Sequence, residues 1–323
     1  MQDFSQCNKD AQIERLQQLA RKALKEFGIE PERMEPLVHA ENTTFRVWSP
    51  QGEFCIRINR PGYQSTSNVR SEIQFLHALS QEGFRVPRPF QPRLVTAETE
   101  TVPEPRDCVL FHWIEGSIHR EGITVPQAIA AGELMAQLHQ FVTRWNPPQG
   151  FDRQKVHTWL LDESQPMALD HPSSMIAEDD RRLLAGIVQE SREMARDLPR
   201  DDQWIRLIHA DLHPANLVFN EGILSAIDFD DTGYGFLIYD FAAALAYRVG
   251  APGFEEIRDA TLEGYSKVQP LPPKTEELLS IFIQLRLASI SNWSVSRVDN
   301  PEFREISPKF TNSLANRIRV LRG

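Results

Sequence analysis

Cysteine is scarce in this sequence: Cys7, Cys55 and Cys108 are scattered and odd in number. They offer neither a disulfide framework nor a CxxC metal pair, and a reducing cytoplasm is the expected compartment. Long apolar runs are missing as well. The longest, such as Leu278 to Leu285, are broken by polar residues. None reaches the roughly 20 apolar residues that span a bilayer, so no membrane partner is expected. Met1 to Asp10 is polar and lacks the basic-then-apolar start of a signal peptide. There is no basic excess. A net charge of -10 argues against a nucleic-acid partner, which requires basic surface. Repeats and low-complexity tracts are absent too. What is present is a 323-residue chain, 41% hydrophobic and 25% charged, with the composition of a folded protein and enough length for two lobes.

Periodicity predicts strands first and helices later, an α+β plan. Ala11 to Phe27 carries an apolar helical stripe that stops at Gly28. Strands are expected over Glu35 to His39, Thr44 to Trp48 and Glu53 to Ile58, the last two joined by Ser49-Pro50-Gln51-Gly52. In the third, Phe54, Ile56 and Ile58 share one face, and Cys55, Arg57 and Asn59 the other. A helix over Ser67 to Ser80 places Glu72 on the stripe of Val69, Ile73, Leu76 and Leu79. Further helices are expected over Pro126 to Val142, Asp179 to Leu198, Leu237 to Val249, Pro252 to Tyr265 and Lys274 to Val295. A hairpin turns at Asn220-Glu221-Gly222.

Three signals carry chemistry. The strongest is His209-Ala210-Asp211-Leu212-His213-Pro214-Ala215-Asn216, which matches the kinase catalytic loop, with Asp five positions before Asn. A hydroxyl that attacks a γ-phosphoryl group must lose its proton, so a carboxylate has to sit beside it. A short loop then returns an amide oxygen to magnesium. Asp211 reads as the base, Asn216 as a metal ligand and His209 as a brace for the loop. The second signal is Asp228-Phe229-Asp230, delivered by a strand over Ile223 to Ile227. Asp228 stands where the kinase Asp-Phe-Gly aspartate holds magnesium, a cation that wants oxygen ligands. The third is Glu72 on an apolar stripe. A buried acid needs a partner, and Arg57 is the candidate.

Together with Glu41-Asn42-Thr43-Thr44-Phe45-Arg46-Val47, Cys55-Ile56-Arg57-Ile58-Asn59-Arg60-Pro61 and Tyr239-Asp240-Phe241-Ala242, these motifs resemble the aminoglycoside phosphotransferase and choline kinase family over about residues 35 to 300. Homoserine kinases of the bacterial second type, fructosamine kinases and a bacterial stress-response protein kinase are similar. The resemblance implies a two-lobed protein-kinase-like fold. Residues 1–113 would form an antiparallel-sheet lobe with an N-terminal helix, and residues 114–323 a mainly helical lobe. It implies ATP between the lobes, with Asn42, Thr43, Thr44, Arg57 and Glu72 at the phosphates. A hinge including Phe111 and Trp113 would read the adenine. It implies Asp211 as base, Asn216 and Asp228 on magnesium, and Asp240 tying down the catalytic loop. Asp230, Asp231 and Trp293 are candidates for contact with a small, amine-bearing hydroxyl acceptor. The acidic pair, Glu115 and the habit of the family it resembles are the reasons for expecting an amine. A monomer or homodimer is expected.

Three features depart from the pattern. Arg57 replaces the usual strand lysine, and a guanidinium fork is not interchangeable with an ammonium. The phosphate-covering loop has no glycine. No Ala-Pro-Glu follows Asp228, so a phosphorylation-switched activation segment is not expected, which favours a small-molecule kinase. Two alternatives stand beside it: a serine/threonine protein kinase of the stress-response type and a nucleotide-binding pseudokinase. Asp228-Phe229-Asp230-Asp231-Thr232-Gly233 also resembles the box of haloacid-dehalogenase phosphatases. That box opens a large domain, and the chain remaining after it is too short.

Overall fold

The computed structural model describes residues 4–120, 122–156, 167, 169, 176–298 and 301–323. In chain order, α1 (Lys9–Glu26) precedes β1 (Arg33–His39), β2 (Thr43–Ser49), β3 (Gly52–Ile58), α2 (Thr66–Gln81), β4 (Val95–Thr99), β5 (Val102–His112) and β6 (Ser117–Ile118). Then come α3 (Val125–Arg144), α4 (Glu178–Arg196), β7 (Ile205–Ile208), β8 (Leu217–Asn220), β9 (Ile223–Ala226) and β10 (Gly233–Phe236). The chain closes with α5 (Ile238–Leu245), α6 (Phe254–Ser266), α7 (Thr275–Val295) and α8 (Pro301–Arg322), an α+β arrangement. It divides into two compact units: 1–117 with 147–153 and 218–230, and 118–146 with 154–217 and 231–323.

In the first unit, Asn8 caps α1 by accepting the Ala11 N–H at 2.9 Å. The helix ends at Phe27 and left-handed Gly28. The five-stranded antiparallel sheet runs β1-β2-β3-β5-β4. Alternation along β3 buries Phe54, Ile56 and Ile58 in one cluster with Leu19 and Leu24 of α1. Each of these side chains contributes roughly 2 kcal/mol through burial. The same alternation turns Arg57 to the opposite face, between Thr44 and Val109 in register. Helix α2 starts at Ser65, whose Oγ accepts the Asn68 N–H, and buries Val69, Ile73, Leu76, Leu79 and Glu72. The β8–β9 hairpin turns through Glu221 and Gly222, both left-handed, as a two-residue turn requires.

In the second unit, Thr124 and Gln127 start α3, with the Thr124 N–H donated to Gln127 Oε1 at 2.9 Å. Helix α3 meets α6 backbone to backbone through two glycines. A Cβ on Gly132 would stand 2.0 Å from Thr261 O, and one on Gly264 would stand 2.0 Å from Ile129 O. Helix α7 alone among the described residues has the length and apolarity of a membrane span, yet 72% of its most apolar window is buried inside the protein. It is a core helix.

Three elements differ from expectation. Helix α5 stops at Leu245, and one tighter turn, Ala246–Arg248, takes over. Strand β10 was hidden because Gly233-Tyr234-Gly235 reads as loop. The glycines are needed there: a Cβ on Gly233 would stand 2.5 Å from Gln154 O, and one on Gly235 would stand 2.6 Å from Ile208 Cδ1. Helix α8 was hidden by Pro301 and Pro308, the latter inside the helix.

Candidate active site

The chemistry-bearing residues fall into one group in each unit. In the first unit, Arg57 is buried and grips Glu72 with both ends of its fork, Nη1 to Oε1 at 2.8 Å and Nη2 to Oε2 at 2.5 Å. This is the pair that strand alternation and the α2 stripe predict. A bidentate fork offsets much of the cost of burying two charges. Asp230 is the second carboxylate on Arg57, at 3.9 Å, and accepts the Asn42 side-chain N–H at 2.7 Å. Burial pushes the Asp230 carboxyl up in spite of Arg57, Arg153 and the Asn42 bond. Arg57 Nε and Asp230 Oδ1 are buried without hydrogen-bond partners, so this cluster keeps unused capacity.

Asp228 is exposed and left-handed, at φ 65°, next to buried Phe229. The Phe229 ring meets Phe75 of α2 edge to face, with centroids 6.1 Å apart. Arg153, itself buried, donates to the carbonyls of Phe229 (3.2 Å), Asp230 (2.5 Å) and Asn68 (2.8 Å), which pins the segment that presents Asp228.

In the second unit, the loop after β7 is held from below by buried Asp240. Its carboxylate accepts the backbone N–H groups of His209 (3.1 Å) and Ala210 (2.7 Å), and His139 Nε2 lies 3.0 Å from Oδ2. Ala210 is left-handed at φ 67°, a conformation that costs an alanine about 1 kcal/mol. The bonds to Asp240 offset that cost. The support continues outward: Tyr265 Oη lies 3.0 Å from His139 Nδ1 and accepts from Gln269 Nε2 at 2.6 Å. On top of the loop, His209 Nδ1 accepts the Asp211 N–H at 3.3 Å.

Asn216 donates its amide N–H groups to Asp211, 2.9 Å to the carbonyl and 3.0 Å to Oδ2. That orientation leaves the amide oxygen as its remaining ligand atom, the donor that a hard cation takes. Arg286 of α7 pairs with Asp211 Oδ1, and His213 Nε2 lies 3.4 Å from Oδ2. Burial pushes the Asp211 carboxyl up, but Arg286, His213 and His209 outweigh it and hold it well below the usual carboxylate range.

The other expected residues take the following places. Asn42 spends both ends of its side chain, on Asp230 and on the Arg60 N–H (3.1 Å), and Thr43 Oγ1 lies 2.8 Å from His39 Nδ1. Thr44 pairs with Arg57 in the sheet. Phe111 is buried under the Arg57 guanidinium, 5.6 Å from the ring centroid. Trp113 lies under Arg46 at 4.0 Å and donates its backbone N–H to Glu53 O. The Asp231 carbonyl accepts from Gln154 at 2.7 Å. Glu115, which supported an amine-bearing acceptor, is exposed and lies 3.3 Å from Arg46. Trp293 is stacked by Arg297 at 4.8 Å, on the α7 face two turns beyond Arg286. Sequence reasoning missed Arg153, His139, Tyr265 and Arg286. Only Arg286 left a readable signal, as the single charge between Leu278 and Val295. Among the described residues, no three His, Cys, Asp or Glu side chains cluster as a metal site.

A model of the APH family, described as a phosphotransferase enzyme family, matches residues 33–278, well over half of the chain. The homoserine kinase of Phenylobacterium zucineum (strain HLK1) is 28% identical over 246 residues, covering 72% of this chain and 69% of that protein. The structure of a microcompartment-associated aminopropanol kinase has a TM-score of 0.80 at 24% identity, covering 92% of this chain and 95% of that one. An amicoumacin kinase, hAmiN, in complex with AMP-PNP, Ca2+ and Ami, has a TM-score of 0.73 at 19% identity, covering 92% and 93%. At these identities the structural likeness establishes the protein-kinase-like fold.

Proposed function

The chain belongs to the phosphotransferase enzyme family, and from that premise we propose that it transfers the γ-phosphoryl group of ATP to a hydroxyl of a small, amine-bearing molecule, with magnesium. The observation that carries the reading is the built loop of Asp211: pinned through Asp240, with the Asn216 amide tied back to it. Asp211, ionised at neutral pH, would accept the hydroxyl proton as the acceptor oxygen forms its bond to phosphorus and the bond to the departing ADP breaks. Asn216 and Asp228 would hold magnesium, which when bound neutralises charge on the phosphate oxygens. Arg57, fixed by Glu72, would face the nucleotide phosphates. With the Asn42 and Thr43 side chains engaged elsewhere, cover of the phosphates would fall to that turn's backbone N–H groups. Nucleotide and divalent-metal use are supported by the amicoumacin kinase bound to AMP-PNP and Ca2+. An amine on the acceptor is supported by the homoserine and aminopropanol kinases among the similar proteins. Three free cysteines suit a reducing cytoplasm.

The test is phosphate transfer from magnesium-ATP across a panel of hydroxyl compounds, followed by phosphorylated product. At least one small-molecule acceptor is expected to be phosphorylated. A protein that binds ATP but phosphorylates no hydroxyl compound would contradict the reading.

A further inference from the structure

Arg286 is a largely buried cation in contact with the proposed base. It projects from α7, where it is the single charge between Leu278 and Val295, and its side chain is only 12% exposed. A guanidinium carries five N–H donors. Here Nη2 goes to Asp211, Nη1 reaches Tyr239 Oη at 3.4 Å, and Nε is buried without a partner. The groups around Asp211 on the neighbouring elements are His209 and His213 of the loop, Tyr239 of α5, Tyr247 and Arg286. Asp240 of α5 is a second carboxylate, but its oxygens are taken by the His209 and Ala210 N–H groups and by His139. The groups left around Asp211 within the second unit are a guanidinium, imidazoles and phenols, which suit an anion better than a lone ammonium.

Arg286 occupies Asp211 Oδ1 while Asn216 and His213 crowd Oδ2, so an acceptor hydroxyl competes with Arg286 for Oδ1. When the hydroxyl arrives and takes that oxygen, Arg286 loses its counter-charge in a largely buried setting, a costly state unless another anion replaces it. The group that Arg286 now holds is a carboxylate, so a carboxylate is the like-for-like replacement, and the guanidinium fork matches it. We propose that the acceptor carries a carboxylate a short spacer away from its reacting hydroxyl, and that Arg286 hands over from Asp211 to that carboxylate as the acceptor binds. The inference rests on Asp211 as the base and narrows the acceptor to hydroxy acids, including hydroxy amino acids. Arg286 is in this account a specificity-determining residue that also gates access to Asp211.

The test uses two acceptors that differ only by the carboxylate, L-homoserine and 3-amino-1-propanol, with wild type, Arg286→Met and Arg286→Lys. Wild type is expected to favour L-homoserine in kcat/KM by about 100-fold, the range of a charge-assisted pair. Arg286→Met should reduce that ratio to within about threefold of unity, and Arg286→Lys, which keeps charge but loses the fork, should fall between. Any change in the basicity of Asp211 is common to both acceptors and cancels in the ratio. Equal use of the two by wild type would overturn the inference, as would an unchanged ratio in Arg286→Met. Transfer to neither, while choline or an aminoglycoside is phosphorylated, would overturn it and leave the phosphotransferase reading standing. Transfer to no hydroxyl compound at all would remove that reading and the inference with it.

Discussion

Asp211 shows how one residue's neighbours set its chemistry. Its carboxyl is drawn up by burial and down by Arg286, His213 and His209, and these neighbours outweigh burial. The sign follows for a variant. Removing the Arg286 charge disfavours the ionised carboxylate, so Asp211 in Arg286→Met takes up its proton at a higher pH than in wild type. The acid limb of the kcat/KM–pH profile should therefore move upward, by about one pH unit or more. An acid limb that stays in place would show that Asp211 does not govern it. The motif made Asp211 and Asn216 readable because five positions of chain suffice to bring an amide back to a carboxylate. Arg286 was not readable as their neighbour, since α7 is far along the chain and its position against the loop is decided by packing. Arg57 and Glu72 were readable because period two in a strand and a stripe in a helix each dictate which way a side chain faces. That Asp230 would join them, rather than meet an acceptor, depends on the turn that follows β9.

At the scale of elements, the contact of α3 with α6 is where the second unit is least tolerant of change. Gly264→Ala drives a methyl group into the Ile129 carbonyl, and backbone cannot yield as a flexible side chain would. A loss of about 2–3 kcal/mol in urea unfolding is expected. Gly186→Ala on α4 is the control. A Cβ there meets nothing within 4 Å, so higher helix propensity should leave stability unchanged or raise it by up to about 1 kcal/mol. Similar losses in both variants would mean that propensity, not the close approach, governs the site. Helix α3 also carries His139, which supports Asp240. Displacing it would loosen the bonds that hold left-handed Ala210. Elements whose stripes and stops agree, such as α1, α2 and β3, were legible to within a few residues. Strand β10 and helix α8 were not, because glycines chosen for close packing and prolines accepted within a helix look like breaks in a linear reading.

For the whole molecule, strands early and helices late point to the α+β class, and the family match over residues 33–278 agrees with the resemblance carried by the motifs. The acceptor was less legible. Two of the acidic residues that suggested an amine are engaged elsewhere: Asp230 with Arg57 and Asn42, and Glu115 with Arg46. The charge that faces Asp211 is instead an arginine from a helix whose sequence reads as core. The central claim is that Asp211 is the base of a phosphoryl transfer. It is tested most directly by single-turnover transfer from magnesium-ATP to the best acceptor in wild type and Asp211→Asn, with nucleotide affinity measured separately. The expected result is a loss of about 10²- to 10⁴-fold in the rate of transfer with nucleotide affinity changed by less than about threefold. Near-normal transfer in Asp211→Asn would contradict the account.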